Sequence, residues 1–222
     1  IAADARIDPD NSLLWRCSRQ RLEGESLRDA MLSAAGTLNS SVGGPPVMAE
    51  LPAAVTTRGY WKPSTDPAQL GRRSIYVFVK RNLRYPLFDA FDFPDTHEPC
   101  ARRQVTTTAP QALLMLNDET TLKLAREFAD RVAREAGEER EKQVERAYLL
   151  AFARPPTLDD RKAALAFLDR QTKLIAASGS SSAAAAPGKS RTPKAAPPSS
   201  ERAALADLCH ALFNANEFCH VE

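Results

Sequence analysis

Apolar side chains recur at helical spacing along most of this chain, and no other feature restricts its fold as strongly. Steps of three and four residues place side chains on one face of an α-helix, which must then pack against another element. The recurring residues are Leu27, Met31, Ala34 and Leu38; Ala125, Phe128, Ala129 and Val132; Val144, Ala147, Tyr148, Ala151 and Phe152; Ala164, Leu165 and Leu168; and Leu205, Leu208 and Leu212. The pattern predicts several amphipathic helices that bury their apolar faces against one another.

Helix start and stop signals divide these periodic stretches. Thr108–Gln111 and Thr157–Asp160 have the spacing of a capping box, in which side chains bond to free N–H groups at the start of a helix. Gly137 follows a periodic stretch, as residues that end helices commonly do. Short capped helices with short connections indicate a mostly α fold, namely an irregular antiparallel helical array with a long central loop and at most a minor short-strand element.

The segment Ile75–Val79 differs from the rest because it is a run of β-branched and aromatic residues without a polar break. Such a run favours a short buried strand. A buried helical segment has the same appearance in a sequence, so periodicity alone leaves both interpretations open.

Residues 176–200 interrupt the helical pattern. Ala, Ser, Gly and Pro make up 21 of these 25 residues, and the rest include three cations and no acid. Because such a stretch buries too little apolar area to offset its ordering entropy, we predict a disordered insertion, with binding of an acidic partner as the alternative. We expect a helical domain over 1–175, the insertion over 176–200, and a C-terminal helix over 201–222 that completes the same domain.

The overall charge excludes a strong attraction to polyanions. With a net charge of +2, the chain has no field that would draw nucleic acid or an anionic membrane surface. No apolar run approaches the roughly 20 residues that span a bilayer, so we expect neither a nucleic-acid partner nor a membrane span. The chain starts with Ile1 rather than Met, so we expect it to be processed or part of a longer protein, and no secretion signal is visible at its start.

The cysteines and histidines do not form a recognisable haem or zinc motif. The four cysteines include no Cys-x-x-Cys pair and no Cys-x-x-Cys-His run, so we expect no metal and no cofactor in this chain. An even number of cysteines allows three complete disulfide pairings in an oxidising compartment. The repeated couplets Cys209-His210 and Cys219-His220 leave a Cys2His2 site as an alternative.

The residues from 72 to 111, called the central segment below, hold the most unusual chemistry. A basic stretch without acids comes first and contains Arg72, Arg73, Lys80, Arg81 and Arg84. An acidic stretch without bases follows and contains Asp89, Asp92, Asp95 and Glu98. Opposite charges this close favour Arg–carboxylate pairs that pin an irregular loop onto the helices. The residues predicted to form structural ion pairs and caps, or alternatively to bind an anion, are Arg72, Arg73, Arg81, Arg102, Arg103, Thr106 and Thr108.

The acidic stretch also allows sites with chemistry of their own. Asp89, Asp92 and Asp95 carry the oxygen ligands that Ca²⁺ or Mg²⁺ prefers, although their spacing is not that of an EF-hand. His97 is a candidate general base, oriented by Asp95 or Asp92, which makes these three residues the catalytic candidates. Cys100, three residues from His97, is a candidate nucleophile.

An anion site is the remaining alternative within the central segment. Arg102 and Arg103 lie shortly before the helix start at Thr108, so guanidinium groups and free helix N–H groups are predicted to converge there. Sulfate or phosphate is the group that such a site would hold. The chain contains no G-x-S-x-G, H-E-x-x-H, phosphate-loop or dinucleotide motif.

The central segment resembles the PSD-one family, a planctomycete domain of unknown function that also carries the number 1553. The likeness rests on paired arginines, a Lys-Arg, a Phe-Asp followed by Pro-Asp, a Cys, Arg-Arg, a Thr cluster, Gln-Ala-Leu and Leu-Asn-Asp. These positions are Arg72, Arg73, Lys80, Arg81, Phe91, Asp92, Pro94, Asp95, Cys100, Arg102, Arg103, Thr106, Thr108, Gln111, Ala112, Leu113, Leu116, Asn117 and Asp118. Further matches near the two ends are Asn11, Trp15, Arg21, Glu25, Arg28 and Asp29, and Leu212, Asn214, Glu217 and Phe218.

The resemblance carries expectations about context. It implies an extracytoplasmic location, periplasmic or at the cell surface, in the C-terminal part of a longer protein. It also implies an upstream domain of the same polypeptide as a partner, and it places any c-type haem in a separate upstream domain. The family supplies no established activity and no agreed catalytic residues.

Three functions are therefore open, and whether the chain is an enzyme is open with them. The leading hypothesis is an accessory helical module that packs on its upstream domain. The first alternative is part of a carbohydrate-active site for a polysaccharide or sulfated sugar, built from the acid/base candidates and the paired arginines named above. The second alternative is a cytochrome-docking module whose basic patch is Lys80, Arg81 and Arg84.

Overall fold

The computed structural model describes residues 4–17, 19–51, 61–181 and 199–221, and these residues form a mostly helical fold with a small antiparallel sheet. The helices are α1 (Asp4–Ile7), α2 (Gly24–Ala35), α3 (Pro67–Leu70), α4 (Pro86–Ala90), α5 (Ala109–Asn117), α6 (Glu119–Ala136), α7 (Arg140–Phe152), α8 (Leu158–Ser181), α9 (Ser200–Phe213) and α10 (Asn216–Cys219); the strands are β1 (Gln20–Arg21) and β2 (His220–Val221). The prediction of a mostly α fold is confirmed. No helix within this described part is both long and apolar enough to cross a membrane.

The helix α6 lies at the centre of the packing. Its apolar stripe, which includes Phe128, Ala129 and Val132, is buried against α2, α7 and α9. The Phe128 ring stacks on Phe213 of α9, with 5.4 Å between ring centroids and 19° between ring planes. α8 packs in turn on α7 and α9. The core is therefore built by the faces that the apolar periodicity predicts.

The predicted helix ends occur where the capping signals place them. The Thr108 N–H donates to Oε1 of Gln111 at 3.2 Å at the start of α5. At the start of α8 the bonds are reciprocal: the Thr157 N–H donates to the Asp160 carboxylate at 3.0 Å, and the Asp160 N–H donates to the Thr157 hydroxyl at 3.2 Å. Gly137 ends α6 with a φ of 72°, a left-handed value that glycine adopts without strain.

The prediction of a buried strand at Ile75–Val79 is wrong. Residues Ser74–Tyr76 form a 3-10 turn, and Val77 makes one isolated bridge with Val47. Val77 is buried, but Ile75 and Val79 are 77% and 47% exposed. Residues with high strand propensity form a strand only where a neighbouring strand offers a continuous ladder, and here Val47 supplies just two backbone hydrogen bonds.

The boundary predicted for the insertion also needs correction. α8 extends through Ser181, so it includes residues 176–181, which the sequence analysis assigned to the insertion. The alanines that open this stretch are strong helix formers and prolong a helix that is already under way. Residues 182–198 of the predicted insertion lie outside the described residues. α9 then begins after Ser199, whose hydroxyl accepts from the Arg202 N–H at 3.2 Å.

The small sheet joins distant parts of the chain. β1 pairs with β2 in antiparallel register, Gln20 with Val221 and Arg21 with His220. The Leu22 N–H continues the contact by donating to the Cys219 carbonyl at 2.8 Å. This pairing fixes the backbone at Arg21, whose side chain reaches the central segment.

Candidate functional site

Asp92 is the most heavily bonded carboxylate of the central segment. Its φ of 61° places it in a left-handed turn after α4, a conformation that aspartate tolerates better than most residues. One oxygen accepts from Nη2 of Arg21 at 2.6 Å and from the Thr106 N–H at 2.8 Å. The other accepts from the Thr106 hydroxyl at 2.9 Å. Both oxygens are therefore engaged in holding the chain between α4 and α5.

Arg21 is the partner that sequence reasoning did not assign to Asp92. Its side chain is 5% exposed and lies over the ring of Phe91, with the guanidinium carbon 4.9 Å from the ring centroid. Nε donates to the Thr106 carbonyl at 2.8 Å and Nη1 donates to the Leu22 carbonyl at 2.9 Å. Asp92 thus finds its counter-ion in β1 and not in the basic stretch beside it.

Thr106 and Thr108 extend this network into α5. The amide nitrogen of Gln111 donates to the Thr106 hydroxyl at 3.2 Å and to the Ala90 carbonyl at 3.0 Å, so α5 is tied to the end of α4. The Gln111 amide oxygen accepts from the Thr108 N–H, as described above. Because Thr108 and Gln111 bond to each other at the helix start, part of the predicted anion-binding end of α5 is already occupied.

Arg103 pins the loop to the first turn of α2. It donates to Glu23 at 2.9 Å and to both oxygens of Glu25 at 2.9 and 3.1 Å. Its guanidinium carbon also lies 5.4 Å from the centroid of the Phe93 ring. The hydrogen bond to Glu25 raises the pKa of Arg103 above its ordinary value. The partners of Arg103 come from the N-terminal part of the chain, as does Arg21, the partner of Asp92.

Arg84 joins the basic stretch to the acidic stretch at the surface. It contacts Asp89 at 2.9 Å and Asp95 at 3.0 Å. Asp95 also accepts from the N–H of His97 at 2.9 Å and lies 3.0 Å from its ring Nδ1. These bonds, the backbone bond from His97 first, lower the pKa of Asp95. Since about half of each of the Asp95 and His97 side chains is exposed, we expect this pair to add little to stability.

The remaining predicted arginines have different environments. Arg72 is 3% exposed, donates to the carbonyls of Pro45 and Gly43, and lies 4.0 Å from the centroid of the Tyr76 ring. Arg73 is exposed and lies 3.5 Å from Asp29. Arg81 is exposed on the surface. These three residues therefore do not converge on one anion-binding point.

A surface cleft of about 600 Å³ lies within the central segment. Asp92 and Asp95 line it, while His97 is not among its lining residues. Arg102 lines it too and is exposed, in contrast to the paired Arg103. The thiol of Cys100 lines the same cleft and donates to the Arg102 carbonyl at 3.3 Å. The cleft brings these lining residues together, but Asp92 and Arg103 already form ion pairs and hydrogen bonds with other residues.

The two metal alternatives are not supported by the geometry. Among the residues that the structure describes, no group of three or more His, Cys, Asp or Glu side chains is placed to hold a metal ion. Cys209 is fully buried, and Nε2 of His210 lies 2.9 Å from the Met115 carbonyl, so the Cys-His couplets do not assemble. Asp92 bonds to Arg21 and Thr106, which removes it from an aspartate cluster. The four cysteines are unpaired in the structure.

Replacing Arg103 by alanine should lower the free energy of unfolding by about 1–2 kcal/mol, because three charge-assisted hydrogen bonds in a partly exposed site are lost. Urea denaturation of the purified chain measures this change. Arg102→Ala is the matched control, because the neighbouring Arg102 side chain is exposed. The stability of this variant should stay within about 0.5 kcal/mol of that of the original chain. Equal effects of the two substitutions would contradict the structural role of Arg103.

Comparison with known proteins gives one family and no characterised relative. No curated protein and no solved structure matches this chain. The family model called PSD1, described as a protein of unknown function (DUF1553), matches residues 2–168. The match covers the central segment together with the helices from α1 to α7, and it supports the resemblance noted in the sequence. This chain therefore belongs to the PSD1 family of proteins of unknown function (DUF1553).

Proposed function

We propose that this PSD1 domain is an accessory module that packs on an upstream domain of a longer, extracytoplasmic protein. The observation that carries the proposal is the outer face of α5, which we call the α5 face and define by Ala112, Leu113 and Leu116. All three side chains are exposed, Leu113 at 57% and Leu116 at 49%. Contiguous exposed apolar side chains on a protein surface commonly mark an interaction site.

The burial within α5 supports the same conclusion. Gln111 and Met115 are the residues of this nine-residue helix that are buried. The helix is therefore held on the domain largely by the hydrogen bonds of Gln111, and most of its leucine surface is exposed to solvent. Such a helix fits an interface in which a second domain covers the leucines.

The exposed residues Ile75, Phe78 and Val79 add a second apolar surface. Phe78 is 38% exposed, in addition to the exposed Ile75 and Val79 noted above. The centroid of its ring lies 6.1 Å from that of the buried Trp61 ring. Phe78 therefore packs on the domain while part of its side chain stays exposed. Apolar residues that the domain leaves uncovered are best explained by a partner surface.

The charged residues of the central segment serve this function indirectly. Arg21, Asp92 and Thr106 hold the chain between α4 and α5 in one conformation, and Gln111 fixes the orientation of α5. A preorganised helix loses less conformational freedom when it docks. The network therefore holds the α5 face in a fixed orientation for docking.

Substituting aspartate at both Leu113 and Leu116 tests the docking proposal. In the chain alone, the free energy of unfolding should change by less than about 1 kcal/mol, because both sites are exposed. In the longer protein, the charges would be driven into an apolar interface, so we expect this domain to unfold separately, at a lower temperature than the rest. Scanning calorimetry of the longer protein measures this separation.

The matched control is Leu174→Asp on α8, where the leucine is 58% exposed and lies away from the α5 face in sequence. We expect this variant of the longer protein to melt as the original does. A longer protein that carries both α5 substitutions and still melts as the original does would contradict the docking proposal.

A second candidate function rests on the open cleft. The exposed Arg102 beside Phe93 and two prolines is suited to an anionic sugar, such as a sulfated polysaccharide, with Asp95 as the remaining acid/base candidate. Retention of the chain on a sulfated polysaccharide, lost in Arg102→Ala, would favour this function over docking. A cytochrome-docking role has less support, since Arg84 of the proposed patch is neutralised by Asp89 and Asp95. Any c-type haem would belong to the upstream part of the longer protein.

A further inference from the structure

A second cavity, which we call the Arg28 cavity, lies away from the cleft of the central segment. It has a volume of about 360 Å³ and opens between α2, α6 and the chain before and after α3. Its apolar wall is formed by Leu32, Ala49, Leu70 and Leu124. Cavities of this size with a mostly apolar lining and a few converging polar groups are typical of sites for small molecules.

One of the residues that line this cavity is an unusual buried cation. Arg28 is 4% exposed, and its guanidinium donates to the Arg72 carbonyl at 2.9 Å, the Leu70 carbonyl at 2.7 Å and the Ser74 hydroxyl at 3.2 Å. All of these acceptors are uncharged. The adjacent Asp29 is directed elsewhere, to the Ser74 N–H at 2.7 Å and to Arg73.

This arrangement leaves the Arg28 charge without a counter-ion. None of the ion pairs formed by the described residues involves Arg28. Burying an uncompensated charge is costly, so such a group favours the arrival of an opposite charge. A guanidinium also has more N–H donors than these three acceptors occupy, and its planar shape matches a carboxylate.

Tyr85 and Thr120 add polar groups to the same cavity. Burial raises the pKa of the Tyr85 phenol, so this hydroxyl stays a neutral donor at physiological pH. Both residues line the cavity. A ligand that enters the cavity would meet one buried cation and two hydroxyl groups in its lining.

Three further charged side chains line the cavity. Lys123 pairs with Glu50 at 2.9 Å, and both side chains are close to half exposed. Glu127 also lines the cavity, and burial raises the pKa of its carboxyl group. Burial disfavours the charged form of the Glu127 carboxyl group, whereas Arg28 keeps its charge, so the lining favours an anionic head with an apolar body behind it.

We propose that the Arg28 cavity binds a small organic carboxylate. The carboxylate lies beside Arg28 and Tyr85, and the apolar body packs against Leu32, Leu70 and Leu124. This site is separate from the α5 face, so the inference does not depend on the docking proposal.

The test uses benzoate as the probe and benzamide, which has the same shape without the charge, as its control. Methyl-labelled chain is titrated with each compound and followed by NMR. We expect benzoate to shift the methyl signals of Leu32, Leu70 and Leu124 with a dissociation constant of about 1 mM or tighter, and benzamide to bind at least about tenfold more weakly. Absence of these shifts with benzoate, or equal binding of the two compounds, would overturn the proposal.

Two variants locate the site. Arg28→Met keeps most of the side-chain volume and should weaken benzoate binding at least about tenfold while leaving benzamide binding unchanged. Arg102→Met, at an exposed arginine in the other cleft, should leave benzoate binding unchanged. Unaltered benzoate binding by a folded Arg28→Met variant would contradict the proposal. If Arg28→Met does not fold, the methyl shifts of the original chain decide the question by themselves.

Discussion

Replacing Arg21 by methionine should lower the free energy of unfolding by about 3–5 kcal/mol, which corresponds to a fall in Tm of roughly 6–20 °C. The reason is that the substitution removes one partner of a nearly buried ion pair. Asp92 would keep its bonds to Thr106, but its charge would be left uncompensated with 18% of its side chain exposed. The carbonyls of Leu22 and Thr106 would also lose their donors.

Arg84→Met is the matched control for this prediction. Arg84 also contacts two carboxylates, but these aspartates are more than half exposed, so its loss should cost far less stability than the loss of Arg21. Thermal and urea denaturation of the three proteins give the comparison directly. If Arg21→Met is as mild as Arg84→Met, then the contact between β1 and the central segment does not hold the fold together.

Replacing Phe128 by alanine should destabilise the chain by about 3–5 kcal/mol, because it leaves a cavity in the centre of the core. Phe128 is fully buried and packs on Phe213, which is fully buried as well. The loss removes the contact that joins α6 to α9, and the neighbouring residues can close the space only in part. We expect a lower midpoint in urea and an unfolding transition that remains cooperative.

Leu174→Ala is the control for the core prediction. It removes an aliphatic side chain from α8 at a position that is 58% exposed, and its effect should stay within about 0.5 kcal/mol. A similarly small effect of Phe128→Ala would mean that α9 is not part of the same core. The expectation that the C-terminal helix completes this domain would then fail as well.

Local signals in the sequence were sufficient to predict the longer helices, but not the short helices α1, α3, α4 and α10. The stripe around Phe128, the box Thr157–Asp160 and the stop at Gly137 each involve residues within one or two turns of one another, so the sequence carries them completely. The end of α8 was predicted too early because an alanine-rich stretch can extend a helix as well as begin a linker. Composition alone does not distinguish the two.

Long-range pairing accounts for what the sequence did not reveal. Arg84 meets Asp89 and Asp95 as the neighbouring charge blocks predict. Asp92 instead meets Arg21, 71 residues away, because the two-residue strand β1 carries that arginine to the central segment. A two-residue strand is too short to produce a periodic pattern in the sequence. The sequence also does not indicate which carboxylate a given arginine will pair with.

The Arg28 cavity was missed for the same reason. In the sequence, Arg28 is one matched position of a family pattern. Its burial results from the chain around Leu70 and Arg72, whose carbonyls close over the guanidinium. Backbone carbonyls have no signature in a sequence, so a buried cation of this kind becomes visible only in the structure.

The central claim is that the charged residues of the central segment are structural ties between β1, α4 and α5. A double-mutant cycle with Arg21→Met and Asp92→Asn tests it most directly, because it isolates the coupling between the two side chains from their separate effects. We predict a coupling of about 2–3 kcal/mol in urea denaturation, so that the double variant loses clearly less stability than the sum of the two single losses. A coupling indistinguishable from zero, with the two losses adding, would contradict the account.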